Sequence, residues 1–290
     1  FVSHLVPTSI FAAMANNELL QIVVFAVFFG LGAAALGETA HPLVAIIDQG
    51  AHVMLKITGA VMKMAPLAVF AAMASIITTQ GIGVLLTYAK FLLGFYASLF
   101  VLWGLLIAAG FIFLGPRTGR LVGMIREPFL LAFSTASSEA AYPKLLSQLE
   151  KFGVANRITS FVLPLGYSFN LDGSMMYCSF ATIFITQAYN IQLPLGTKIV
   201  MLLLLMVTSK GMAGVPRASL VVIAGTLNTF NIPEGGLLLI MGVDQFLDMG
   251  RSATNAVGNS IAAAVVAKWE GELEPESTVE PESTPLESMA

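Results

Sequence analysis

"DQFLDMGRSATNAVGN", residues 244–259, lies between the apolar runs Gly236–Gly242 and Ile261–Ala267. Two acids, an arginine and two asparagines thus interrupt a stretch that is otherwise greasy. Charge at bilayer depth is expensive, so such residues are rare in membrane segments and mark functional sites. At the helical turn of about 100° per residue, Asp244, Asp248, Arg251, Asn255 and Asn259 share an arc of about 80°. Phe246, Leu247, Met249 and Val257 mostly face elsewhere. A clamp of buried ion pairs would need equal numbers of opposite charges. This stripe has two acids, one base and spare amides, which is the pattern of a ligand site.

The residue types narrow the ligand. Arginine grips a carboxylate through a planar two-pronged fork, which lysine does not match. Arg251 is therefore read as a carboxylate partner. Asp248, one turn earlier, can accept bonds from an ammonium group. A cation and an anion facing one cavity suit a zwitterion with an extra carboxylate, meaning an acidic amino acid.

Composition sets the environment. Of 290 residues, 57 % are hydrophobic and 11 % are charged, and the mean hydropathy is +0.84. Soluble domains carry about 25 % charged residues, more than twice this share. Leu19–Gly37, Phe91–Leu114 and, counting its polar break, Gly236–Ala267 approach the roughly 20 residues that cross a bilayer. The reading is an all-α polytopic membrane protein, multi-pass, with the lipid bilayer as its partner. The alternating pattern of a membrane barrel is absent. A net charge of −3 with no Lys/Arg cluster excludes a nucleic-acid partner. The single cysteine, Cys178, excludes an intrachain disulfide framework and a cysteine metal cage. The chain opens with Phe1 and lacks a signal-peptide n-region, so it is read as a C-terminal fragment and the expectations concern the intact protein.

Along the chain, residues 1–120 read as membrane helices, 121–271 as a transport core and 272–290 as a disordered acidic tail. Leu43 to Thr79 is amphipathic, with Asp48, His52 and Lys56 spaced by four on one solvated face. Arg117, Arg120 and Arg126, with no acid before Glu127, place that segment in the cytoplasm by the positive-inside rule. "AFSTASSEAAYPK" (132–144) and "TSKGMAGVPRAS" (208–219) are small, polar and broken by glycine or proline. The second lies between the short apolar arms Ile199–Val207 and Leu220–Phe230. Unpaired backbone is not tolerated in hydrocarbon. Both segments are therefore expected to be re-entrant helical hairpins entering from opposite sides. "FVLPLGYSFNLDGSMMYCSFATIFITQ" (161–187) reads as a spanning helix unwound at its polar core, Ser168–Ser174. The order hairpin, broken helix, hairpin, broken helix is an internal repeat of the kind that brackets a transporter binding site. Asn170, Asp172 and the unwound carbonyls are hard oxygen ligands for Na⁺, or a carboxylate that carries a proton. Lys210 and Arg217 flank the second tip, where they can snorkel to water. Glu139 is read as a proton site or a helix-capping acid, without a choice between them. "EPESTVEPESTPLESMA" (274–290) is acidic and Pro-rich, hence disordered.

Four motifs, "NLDGS", "SKGMAGVP", "STASSEAAYP" and "LDMGRSATNAVGNSIAAAVVAKWEG", occur in an order that resembles the dicarboxylate/amino acid:cation symporters, the glutamate transporter family. The resemblance runs from "VPTSIFAAMA" (6–15) to Gly271. It implies a homotrimer in the bacterial inner membrane whose transport domains move by an elevator-like shift. By motif, Arg251 would bind the substrate side-chain carboxylate and Asp248 its amino group. Ser252, Asn255 and Ser174 would also touch the substrate, and Ser138 and the tip around Val215 would close over it. Gly166, Asn170 and Asn255 would offer carbonyl oxygens to one cation. Asn170 and Asp172 would form a second cation site, and Ser168 with the backbone near Ser209–Met212 a third. Leu171 and Ser174 depart from the family's methionine and threonine. Asn259 stands where sodium-coupled members carry an aspartate, which leaves Na⁺ and H⁺ both open as coupling ions. Cys178 replaces the glutamate of potassium-countertransporting members. Members specific for C4-dicarboxylates typically lack the acid at Asp248, so aspartate or glutamate is expected ahead of succinate, fumarate or malate.

Against this secondary symporter stand an anion-conducting channel, whose filter needs no Arg/Asp pair one turn apart, and a membrane enzyme. The sequence holds no metal-ligand spacing and no histidine within the hairpins. No enzymatic activity and no cofactor are expected, and gradient coupling takes the place of an ATP-binding loop.

Overall fold

A computed structural model describes residues 9–15, 19–62, 81–210, 212 and 217–274, with a few positions between 67 and 78. Its helices are α1 (Ile10–Ala15), α2 (Leu19–Leu36), α3 (His41–Met62), α4 (Val84–Leu114), α5 (Arg117–Met124), α6 (Arg126–Thr135) and α7 (Ser138–Phe152), followed by α8 (Asn156–Phe169), α9 (Asp172–Ala188), α10 (Leu195–Thr208), α11 (Ala218–Thr229), α12 (Leu237–Met241) and α13 (Asp244–Trp269). The described residues hold no strand beyond one isolated bridge, Val154 with Leu273. Two stretches, Val24–Gly50 and Val84–Leu114, are long and apolar enough to cross a membrane.

The chain folds into two compact units, interleaved along the sequence. One comprises Phe1–Leu93, Cys178–Met212 and Ser219–Gln245, the other Gly94–Tyr177, Ala213–Ala218 and Phe246–Ala290. Compactness thus divides the chain differently from cuts at 120 and 271.

In the first unit, α2 packs against α1 and α10. Phe91 stacks on Phe184 with ring centroids 4.1 Å apart. Gly236 lies where a Cβ would strike Ile185, so only a glycine lets that approach happen. Cys178 is fully buried, as a packing residue should be.

In the second unit α6 and α7 pack side by side. α6 ends at Ala136, which takes the left-handed conformation (φ 51°), and Ser137 then caps α7 by accepting the Ala140 N–H at 3.3 Å. A two-residue turn is enough because the left-handed residue reverses the chain within the cap. α7 and α8 pack around a core of Leu121, Ile125, Leu145, Leu149, Phe152 and Leu163, which meets Val257, Ile261 and Ala264 of α13.

The expected interruption of 161–187 is present and narrower than Ser168–Ser174. Helix α8 stops at Phe169, Asn170 leaves helical geometry (φ −111°, ψ 68°), and α9 begins at Asp172. The second interruption falls elsewhere than its polar residues suggest. Residues 244–259 are continuous helix within α13, and the break lies before them, at Gly242–Val243. Hydroxyls bonding back to the preceding turn let polar residues sit in a helix without breaking it. Thr254 Oγ1 donates to Gly250 O at 2.7 Å and Ser260 Oγ to Ala256 O at 2.6 Å.

The end of α13 is clasped within the second unit. Ala155 N–H donates to Glu272 O (3.1 Å) and Glu274 N–H to Gly153 O (2.8 Å). Arg117 Nη2 donates to Glu274 O (2.9 Å) and Phe152 O (3.3 Å), with its guanidinium 5.1 Å over the Phe152 ring. Arg157 pairs with Glu272. Residues 272–274 of the expected tail are therefore bound, while 275–290 lie outside the described residues. Arg117→Ala should remove both of its hydrogen bonds and the contact with the Phe152 ring and lower unfolding stability by about 1 kcal/mol. Thermal unfolding in detergent would measure this, and an unchanged midpoint would remove the clasp from the account.

Candidate functional site

Among the described residues, Arg251 is the largest fully buried side chain, at 0 % exposure. A buried guanidinium needs a partner. Arg251 Nε meets Asp248 Oδ1 at 2.6 Å, one turn away on the same helix face, and Asp248 is equally buried. The two terminal nitrogens are held less tightly. Nη1 reaches Ser174 Oγ at 3.4 Å and Nη2 reaches Ala136 O at 3.5 Å. Bonds this long lie at the weak end of the range. A guanidinium is a planar donor of the kind that takes a planar anion such as a carboxylate.

The two tips bear on this pair in complementary ways. From the first, left-handed Ala136 offers its carbonyl to Arg251. From the second, Arg217, also left-handed (φ 66°), gives its backbone N–H to Asp248 Oδ2. Two further hydroxyls of the second unit are buried. Ser138 Oγ and Ser252 Oγ are buried at 0 % exposure and have no hydrogen-bond partner among the described residues. Leaving a buried hydroxyl unpaired costs about 1–3 kcal/mol, so such groups ask for a ligand or water.

Asn255 is tied to the start of α9. Its Oδ1 accepts Gly173 N–H (2.9 Å) and Ser174 N–H (3.4 Å), and its Nδ2 donates to Ser174 Oγ (3.0 Å). It thereby caps the first turn of α9, whose N–H groups have no partner within their own helix. The close approach of α9 to α13 depends on Gly173, where a Cβ would strike Arg251 O and lie 2.8 Å from Thr254 Cβ.

A second polar cluster forms where α8 breaks. Asn170 N–H closes on Gly166 O at 2.7 Å, and its Nδ2 donates to Asn259 Oδ1 at 3.1 Å. Asn259 is 1 % exposed, and its Nδ2 has no partner among the described residues. Gly166 lies against the Asn259 amide, and Gly258 lies where a Cβ would strike Asp172 Oδ2. Ser168 is half-buried on the last turn of α8.

The second unit thus brings together Ser138, Ser174, Asp248, Arg251, Ser252 and Asn255, and beside them Gly166, Asn170, Asp172 and Asn259. Ser209, Met212 and Asp244 belong to the first unit. There, buried Ser209 donates its hydroxyl to Met206 O at 3.5 Å, and Met212 N–H reaches Ser209 O at 3.2 Å. Val215 lies outside the described residues. Glu139 is exposed in the first turn of α7, the position of a helix-stabilising acid. Trp103, which the sequence reading passed over, donates Nε1–H to Thr254 Oγ1 at 2.7 Å and so supports the back of the stripe. Its only signal was a polar-edged ring in an apolar helix.

The chain is similar in sequence to known transport proteins. Over 274 residues the chain is 42 % identical to a proton/sodium-glutamate symport protein of Geobacillus stearothermophilus, covering 94 % of the chain and 65 % of that relative. It is 44 % identical over 272 residues to a proton/glutamate-aspartate symporter of Escherichia coli (strain K12), covering 93 % of the chain and 62 % of the relative. Identity to a C4-dicarboxylate transport protein of Acinetobacter baylyi is 39 % over 288 residues, covering 99 % and 64 %. The chain spans less than two thirds of the length of each of these relatives. The sequence profile of one family, of symporters rather than enzymes, matches residues 1–269, and the chain belongs to that sodium:dicarboxylate symporter family, a family of membrane transporters.

Proposed function

We propose that this chain supplies the substrate and cation sites of a secondary symporter that imports an acidic amino acid, aspartate or glutamate, together with Na⁺, H⁺ or both. The observation that carries the reading is the buried ion pair of Asp248 with Arg251, whose guanidinium also reaches Ser174 Oγ and Ala136 O. Arg251 takes the side-chain carboxylate, Asp248 the ammonium group, and Ser138, Ser174 and Ser252 the remaining oxygens. Val215 closes the site from the second tip. Asn255 holds α9 in place for this purpose as well as facing the substrate. Gly166, Ser168, Asn170, Asp172, Ser209, Met212, Asn255 and Asn259 supply oxygens to the coupling cations. No resident cofactor is needed, since the gradient of the coupling ion drives the cycle.

The two tips are re-entrant hairpins, α8–α9 and α12–α13 are broken spanning helices, and the protein is a multi-pass homotrimer of the cell membrane that works by an elevator shift. Exposed Leu86, Leu93, Phe100, Val101, Leu105 and Ile112 along α4 suit contact with hydrocarbon.

The test is uptake of labelled L-aspartate into liposomes by the full-length protein, under an inward Na⁺ gradient alone and an H⁺ gradient alone, with unlabelled succinate as competitor. Uptake of succinate without aspartate would overturn the assignment of Asp248. Asn259 bears on the ion. It puts a neutral amide beside Asn170, where a carboxylate would hold Na⁺ more strongly. Asn259→Asp should therefore shift uptake toward Na⁺, lowering the half-saturating Na⁺ concentration at least about fivefold, about 1 kcal/mol in binding. An unaltered Na⁺ response would take Asn259 out of the cation site.

A further inference from the structure

Asp248 is already engaged at both oxygens before any substrate arrives. Oδ1 faces Arg251 Nε at 2.6 Å, and Oδ2 accepts the backbone N–H of Arg217. Arg217 holds this contact in the left-handed region, at φ 66°, which glycine adopts freely and a bulky residue adopts only under strain. Strained backbone persists where surrounding contacts over-determine it, and an observed outlier of this kind is a warrant for asking what it does.

We propose that the strained Arg217 backbone is a specificity determinant that favours substrates carrying an ammonium group. The inference rests on the reading of Asp248 as the amino-group partner. An ammonium with three N–H donors competes for Oδ2 with a single backbone N–H that is under strain. Displacing Arg217 from Oδ2 releases the strain, and that release adds to the affinity of an amino acid. A dicarboxylate without an ammonium brings no donor to Oδ2, leaves the Arg217 contact intact and gains nothing. The left-handed backbone at residue 217 thus widens the gap between two substrates of similar size and charge.

Removing the strain should narrow the gap. In Arg217→Gly the left-handed conformation carries no penalty, so the contact with Asp248 becomes harder to displace. Asparagine tolerates this region better than most side chains, and alanine about as poorly as arginine. Isothermal titration of L-aspartate and of succinate into the detergent-solubilised full-length protein gives the affinity ratio for each variant. The expected ratio falls about five- to tenfold in R217G, falls less in R217N and stays near wild type in R217A. A ratio that changes equally in all three, in either direction, would assign the effect to loss of the arginine side chain and overturn the inference. So would a ratio unchanged in all three, while aspartate still binds the wild type. Wild-type protein that binds neither compound would overturn the transport reading and this inference with it.

Discussion

Arg251→Ala is expected to weaken binding of L-aspartate at least about 100-fold, a loss of roughly 2.7 kcal/mol, and to abolish measurable uptake. The size follows from burial. Removing one partner of a buried ion pair leaves the other charge uncompensated, a loss of about 3–5 kcal/mol. Here the stranded group would be Asp248, at 0 % exposure and 2.6 Å from the missing Nε. The same change removes the fork that reaches Ser174 and Ala136. Thermal unfolding should fall along with affinity, because Asp248 suffers in both the free and the bound protein. Arg251→Lys separates the two effects. A lysine restores a positive charge, and with it part of the stability, but it cannot present two parallel donors to a carboxylate. Affinity should stay at least about tenfold below wild type, about 1.4 kcal/mol. Retention of binding within threefold in the alanine variant, read by titration calorimetry, would refute Arg251 as the carboxylate partner.

Gly173→Ala should be the next most damaging single change, although it adds one methyl group. Its Cβ would strike the Arg251 carbonyl and come within 2.8 Å of Thr254 Cβ. Neither is the far end of a flexible chain, so α9 and α13 would have to separate. Separation lengthens the Asn255 bonds to Gly173 N–H and Ser174 N–H and moves Ser174 off Arg251. Overpacking of this kind costs about 1–3 kcal/mol of stability, and misplacing Ser174 should lower aspartate affinity at least about tenfold, about 1.4 kcal/mol. Gly104 provides the comparison. A Cβ there meets nothing within 4 Å, so Gly104→Ala should be neutral or stabilising through helix propensity, by up to about 1 kcal/mol. Equal unfolding midpoints for the two variants would refute the close-approach argument.

What was legible beforehand is the angular part of the site. The 100° turn places Asp248, Arg251, Asn255 and Asn259 on one face whatever surrounds them. The Asn170–Leu171 break was legible too, because a polar Asn–x–Asp–Gly run inside an apolar helix has few other uses. Distances across helices were not legible. Nothing in the spacing of Asp248 and Arg251 says that they pair with each other at 2.6 Å rather than each waiting for a substrate group. That the Asn255 amide also caps α9 was not legible, because it depends on how near Gly173 lies. The polar run 244–259 looked like a break because its composition resembles a loop. Its hydroxyls instead bond to the turn behind them, which composition does not record. Ala136 and Arg217 in left-handed geometry were invisible because neither residue type advertises that conformation.

The clasp at 272–274 has a practical corollary for spectroscopy. Both backbone groups of Glu274 are tied, its N–H to Gly153 and its carbonyl to Arg117. A fluorophore or spin label placed at Leu273 would therefore tumble with the second unit instead of swinging on a loose thread. Its anisotropy would report on the unit that holds Asp248 and Arg251 without a reporter near either residue.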